Sequence, residues 1–159
     1  MTGTPMQLIR ILSESEPDKK WILEEYREKR SLNANAYFHV LVEKIAEKMR
    51  LSHTEIHNRM IADYGYADQE VGAIILKDEI PWEKLQIHLR PTTATRIMDN
   101  GKLYRVYHVM RGSHTYNTLE MSRLISGTVE EAKALDIETM PPNQLERMIS
   151  AWESQKQRQ

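Results

Sequence analysis

Asp99-Asn100-Gly101-Lys102-Leu103-Tyr104-Arg105-Val106-Tyr107-His108-Val109-Met110-Arg111 is the stretch that decides the fold. Asn-Gly between apolar runs predicts a β-hairpin, because the favoured two-residue turn needs positive φ at both central positions. The arm that follows is rich in Tyr and Val, which suit a pleated, half-buried surface. Strand alternation places Tyr104, Val106, His108 and Met110 on one face, and Leu103, Arg105, Tyr107, Val109 and Arg111 on the other. The second face offers cations for phosphates and a ring for base stacking. The same residues read equally well as cross-strand pairs and edge protection.

Working upstream, Leu85 to Leu89 alternates as a strand, Pro91 to Thr95 reads as a polar connection, and Val71 to Leu76 is a buried strand or a short helix. Ser52-His53-Thr54-Glu55 is a capping-box pattern opening a helix with Ile56, Met60, Ile61 and Tyr64 inward, and Gly65 is placed to end it. Ser31 is the expected cap of the preceding helix, whose apolar stripe is Phe38, Leu41, Val42, Ile45 and Met49. Pro17 and Asp18 open a charged helix to about Lys29 that would bury Trp21, Ile22 and Tyr26. Met6 to Leu12, within a lead-in of residues 1–16, reads as a strand or a partly ordered segment. Downstream, Gly112 to Asn117 is a loop leading to a cap at Asn117 or Thr118. The helix after it buries Met121, Leu124, Ile125, Val129, Ala132 and Leu135. A turn at Asp136 to Thr139 and the pair Pro141-Pro142 introduce a final helix with Leu145, Met148, Ile149 and Trp152 on one stripe. A frayed tail, 154–159, is expected to follow. Helices at both ends and strands in the centre predict an α+β fold, a small central antiparallel sheet packed against several amphipathic helices in one domain, 1–159.

Composition bounds the chemistry. With 159 residues, 40% hydrophobic and 28% charged, the chain can bury a core and is not of disordered type. It has no cysteine, which removes disulfides, thiolate metal sites and cysteine nucleophiles. The sequence shows no secretory signal pattern and no apolar run of transmembrane length, so a soluble protein of the bacterial cytoplasm is expected, with no membrane role. Net charge is −1, but its distribution is uneven. Leu89 to Arg123 carries six cations against two acids, while Tyr37 to His88 carries six against nine and Leu124 to Gln159 four against six. A basic middle between acidic shoulders fits an anionic partner at one surface, and a solvated charged face explains it as well.

Little in the sequence supports an enzyme. His53 and His57 have the i,i+4 spacing of a helical metal pair, but the order H-E-x-x-H is absent and no third ligand is evident. His39, His88, His108 and His114 show no mutual spacing. No Gly-rich phosphate loop occurs. Glu70, Asp78 and Glu79 could assemble a Mg²⁺ site, but acids flanking an apolar strand also read as solvated ends. No cofactor and no metal is expected.

Lys29-Arg30-Ser31-Leu32-Asn33-Ala34-Asn35 sets two asparagines in a first helical turn beside two cations, where Asn is a poor helix former and a good hydrogen-bonding group. Arg30 to Asn35 resembles the R-S-L-x-Q-N start of a long helix in the phage NinB (Orf) recombination protein family. Gly112-Ser113-His114-Thr115-Tyr116-Asn117, running on through Glu120-Met121-Ser122-Arg123-Leu124-Ile125, resembles that family's strand, Ser/Thr-rich turn and E-[MF]-x-x-L-[IL] helix. Ala34 stands where the family has Gln, His39 where it commonly has Trp, and residues 52–100 do not align. The resemblance implies a homodimeric, metal-free, non-catalytic protein that binds single-stranded or branched DNA. It would assist recombinase loading beside a recombinase or single-strand-binding protein. Arg30 and Asn35 carry over from the motif as DNA contacts. With the charge pattern, Lys29, Lys102, Tyr104, Arg105, Tyr107, Arg111 and Arg123 complete the expected DNA-binding set. A divalent-metal phage nuclease built on the histidines and Asp78 and Glu79, or a helical protein-interaction module, are the alternatives.

Overall fold

The computed structural model describes residues 4–20, 33–152 and 154. The chain falls into two compact units, Met1–Ser31 and Leu32–Gln159. In the first, α1 (Pro5–Ser13) stands where a strand or a partly ordered segment is expected. Pro5 at the first helical position and a Thr4–Gln7 capping box, with the Thr4 N–H donating to Gln7 Oε1 at 2.9 Å, start a helix despite the short apolar run. None of its residues is buried. Residues 17–20 form a turn and irregular backbone, and the remainder of the helix expected there, with Trp21, Ile22 and Tyr26, lies outside the described residues.

The second unit is α+β, as the patterning predicts. Its helices are α2 (Ala34–Met49), α3 (His53–Tyr64), α4 (Thr118–Ala134) and α5 (Pro142–Ser150). Asn33, not Ser31, caps α2: its Oδ1 accepts from the Ala36 N–H at 2.8 Å. One of the two puzzling asparagines is thereby explained by local structure. Ser52 and Glu55 form the expected capping box, and Asn117 caps α4. The stripes of α2, α3 and α4 meet in one core that includes Phe38, Leu41, Ile45, Ile56, Ile61, Leu124 and Ile125. Each such side chain contributes roughly 1.5–3 kcal/mol by leaving water. Met49, expected on the stripe, is exposed in the last turn of α2. Trp152 anchors the chain beyond α5, its indole N–H donating to the Tyr116 carbonyl at 2.7 Å.

The sheet has three antiparallel strands, β1 (Ala73–Lys77), β2 (Leu89–Ile97) and β3 (Leu103–Val109), in the order β1-β3-β2. The Asn-Gly turn joins β2 to β3, with Gly101 at φ +71° where a side chain would be strained. Two expectations fail here. Leu85 to His88 is not a strand: a 3-10 turn, Trp82–Lys84, precedes it, and the Asn58 amide donates to the Glu83 and Leu85 carbonyls, 2.8 Å each. Pro91 to Thr95, expected as a connection, lies inside β2. An edge strand tolerates Pro91 because one side of it needs no ladder donor, and the threonines suit a strand. A register shift between Pro91 and Thr95 absorbs the irregularity, and Thr92 Oγ1 donates to the Val106 carbonyl at 2.8 Å. Among the described residues no helix is long and apolar enough to cross a membrane.

Candidate nucleic-acid interface and a histidine cluster

Register decides which residues share a sheet face, because directly opposed residues in an antiparallel pair point the same way. Ile74 pairs with Tyr107, and Leu89 with Val109. That face packs against Trp82 and Leu85 in a second, smaller core. Tyr107 is 1% exposed and cannot stack on a base. Arg105, on the same face, donates to Asp78 Oδ1 at 2.5 Å and to the Thr92 carbonyl at 2.6 Å, so it ties β1 and β2 to β3. The face inferred from alternation is therefore covered at its Tyr107–Val109 end, while Leu103 and Ile97 at the hairpin end stay exposed.

On the opposite face Ala73, Ile75, Arg96 and His108 are exposed and Lys77, Tyr104 and Val106 half-buried. Lys77, Tyr104 and Arg96 lie in one row across all three strands, since Lys77 pairs with Tyr104 and Arg96 pairs with Tyr104 from the other side. Ile75, 55% exposed, pairs with Val106 in the next row, and Ala73, His108 and Arg90 form a third. No acidic residue belongs to these rows, and among the described residues neither Lys77 nor Arg96 has an ion-pair partner. The Asn100 amide donates to the Tyr104 hydroxyl at 3.1 Å and steadies the ring at the hairpin tip. Arg90 is spent differently: Nε and Nη2 donate to the Ala62 and Gly65 carbonyls at 2.5 and 2.9 Å, closing the end of α3.

Most of the other expected contacts are engaged within the chain. Lys29 and Arg30 lie outside the described residues. Asn35 Oδ1 accepts from Ser113 Oγ at 2.6 Å, so Asn35 ties α2 to the turn before α4. Lys102 pairs with Glu79 at 3.3 Å. Arg111 pairs with Glu120 and lies 5.3 Å from the Tyr116 ring centre, while Arg123 sits 5.4 Å over Tyr66. Tyr104 is the expected site residue that the opposite face retains. Lys77 and Arg96 were missed because their place beside Tyr104 depends on register, which the sequence states only through its turn. Asp78 and Glu79 each face a cation, so no shared carboxylate site forms from them.

The histidines hold the larger surprise. His39 of α2 meets His53 and His57 of α3, with ring centres 5.4 and 5.1 Å away, and His57 lies 4.9 Å from His88. His39 Nδ1 and His53 Nε2 are 3.3 Å apart. These four imidazoles, with Thr54, Asn58, Leu85 and Gln86, line a cavity of about 110 Å³. Asn58 is buried and uses its amide hydrogens on two carbonyls, so its Oδ1 accepts the His88 Nδ1–H at 2.7 Å. That assigns the tautomer and leaves the His88 Nε2 lone pair free. Burial, then the neighbouring His88, His39 and His53, pushes the His57 imidazole down to about 3. Burial and His53 lower His39, and burial and His114 lower His88. Burial thus favours the neutral, lone-pair-bearing form of His57, His39 and His88. Among the described residues no three His, Asp or Glu side chains surround one point as a complete metal site. The i,i+4 pair was legible in the sequence; its partners on α2 and before β2 were not.

Comparison with protein-family models, curated proteins and solved structures finds no match to this chain.

Proposed function

We propose that this protein binds single-stranded nucleic acid on the sheet face that carries Tyr104, as a non-catalytic accessory of phage DNA recombination. The row Lys77–Tyr104–Arg96 carries the reading: a half-buried ring flanked on both neighbouring strands by cations that have no ion-pair partner among the described residues. A base stacked on tyrosine contributes roughly 1–3 kcal/mol whatever its identity, and flanking cations take the phosphates on either side. The recombination setting, a homodimer and a recombinase or single-strand-binding partner rest on the resemblance of Arg30 to Asn35 and Gly112 to Ile125 to the NinB family.

Fluorescence anisotropy with a labelled single-stranded oligonucleotide tests it. Affinity should fall with salt at a log-log slope of roughly −0.7 per neutralised phosphate. Joint replacement Lys77→Ala and Arg96→Ala should flatten that slope by about 1.4, and Tyr104→Ala should weaken binding about ten-fold with the slope kept. Salt-insensitive binding, or variants that bind like the parent, would overturn the reading. A divalent-metal nuclease is the second reading, favoured by the convergence of His39, His53 and His57. Metal-dependent cleavage of single-stranded or branched DNA, abolished by His53→Gln, would put it first.

A further inference from the structure

We infer that His39 and His53 form a binding site for a borderline divalent cation of the Zn²⁺, Ni²⁺ or Cu²⁺ class, with water completing the coordination. The inference does not depend on the nucleic-acid reading. Nδ1 of His39 and Nε2 of His53 approach to 3.3 Å from two different helices. A metal held at about 2.0–2.1 Å by two nitrogens in tetrahedral geometry separates them by about 3.3–3.4 Å, the edge of the tetrahedron. Without an ion the same two nitrogens share one proton in an N–H···N contact, which a bound cation would replace.

The surroundings fit a cation better than an anion. The cavity against these nitrogens is lined by His57, Thr54, Asn58, Gln86, Leu85 and His88, with no lysine or arginine among the described residues. Its volume of about 110 Å³ accommodates an ion and one or two waters, each water occupying about 30 Å³. Nitrogen donors without a carboxylate select against Mg²⁺ and Ca²⁺, which take oxygen ligands. The site is also held in place. The Ser52–Glu55 capping box fixes the first turn of α3, where His53 sits, and Phe38 packs its ring against both His39 and His57 at 5.3 Å. With two protein ligands the ion would keep open positions, so binding is expected to be moderate and readily reversed by chelator.

The test uses the full chain stripped with chelator and titrated separately with Zn²⁺, Ni²⁺ and Mg²⁺ by calorimetry and thermal melting. Expected are one Zn²⁺ or Ni²⁺ per chain, a rise in Tm that grows with metal concentration, and no response to Mg²⁺. His39→Gln and His53→Gln should each weaken binding at least ten-fold, while His108→Gln, on the sheet, should leave it unchanged. Binding that survives both replacements, or no binding at millimolar Zn²⁺ and Ni²⁺, would overturn the site. Should a variant fail to fold, Cu²⁺ electron paramagnetic resonance on the unaltered protein decides: splitting from two imidazole nitrogens supports the site, and oxygen-only coordination refutes it.

Discussion

Gly127→Ala should destabilise this protein although it replaces the poorest ordinary helix residue with the best. Gly127 is buried in the middle of α4, where alanine would by propensity alone add about 1 kcal/mol. A Cβ there, however, would lie 2.2 Å from Cδ1 and 2.3 Å from Cγ of Tyr64. Those atoms belong to the base of a ring fixed on α3, not to a flexible tip, so either the ring or the helix must move. Overpacking of this kind costs about 1–3 kcal/mol. Displacing the ring also breaks the 2.7 Å bond from the Tyr64 hydroxyl to Glu131 Oε1. A hydrogen bond to a charged acceptor contributes about 1.5–3 kcal/mol, with the lower end appropriate to a partly exposed pair. That bond, with burial and the nearby Glu131 charge, pushes the phenol up to about 12. The net expectation is a loss of about 2 kcal/mol. In a Tyr64→Ala background the obstruction is gone, and the same glycine replacement should stabilise by about 1 kcal/mol. Urea denaturation followed by circular dichroism on the four proteins of the cycle measures both. A stabilising Gly127→Ala in the parent, or one sign in both backgrounds, would refute the reasoning.

Asn58→Ala should cost about 2–4 kcal/mol in the same assay, because it strands the half-buried Glu83 and Leu85 carbonyls and the His88 N–H together. Asn58→Asp should be no milder, since a carboxylate cannot donate to those carbonyls; an exposed-site cost below 0.5 kcal/mol would contradict the assigned network. Stability in chelator should fall with acid. The unfolded His57 takes up its proton near pH 6.5 and the folded one only near 3, so between these values the unfolded chain binds more protons and gains ground as pH drops. By pH 5 the loss from His57 alone is about 2 kcal/mol, and His57→Gln should remove that part of the slope.

Much of the fold was legible because its signals are local. Asn100-Gly101 states a turn, Ser52 to Glu55 states a helix start, and the stripes of α2, α3 and α4 repeat at helical spacing. The misreadings came from residues whose local preference was overruled by a partner far along the chain. Leu85 to His88 alternates like a strand, but Asn58 claims its carbonyl. Pro91 looks like a strand breaker, yet an edge position leaves its missing donor without consequence.

The candidate sites divide the same way. Alternation along Leu103 to Val109 sorts the side chains into two sets by geometry that every strand obeys, and the sequence alone settles that. Which set faces water depends on the Trp82 to Leu85 segment folding over Tyr107, a contact between stretches with no pattern in common. The i,i+4 spacing of His53 and His57 is likewise written in the chain. Their meeting with His39 and His88 is not, because periodicity relates residues within one element, and only the packing of α2 and the β2 approach on α3 brings the imidazoles together.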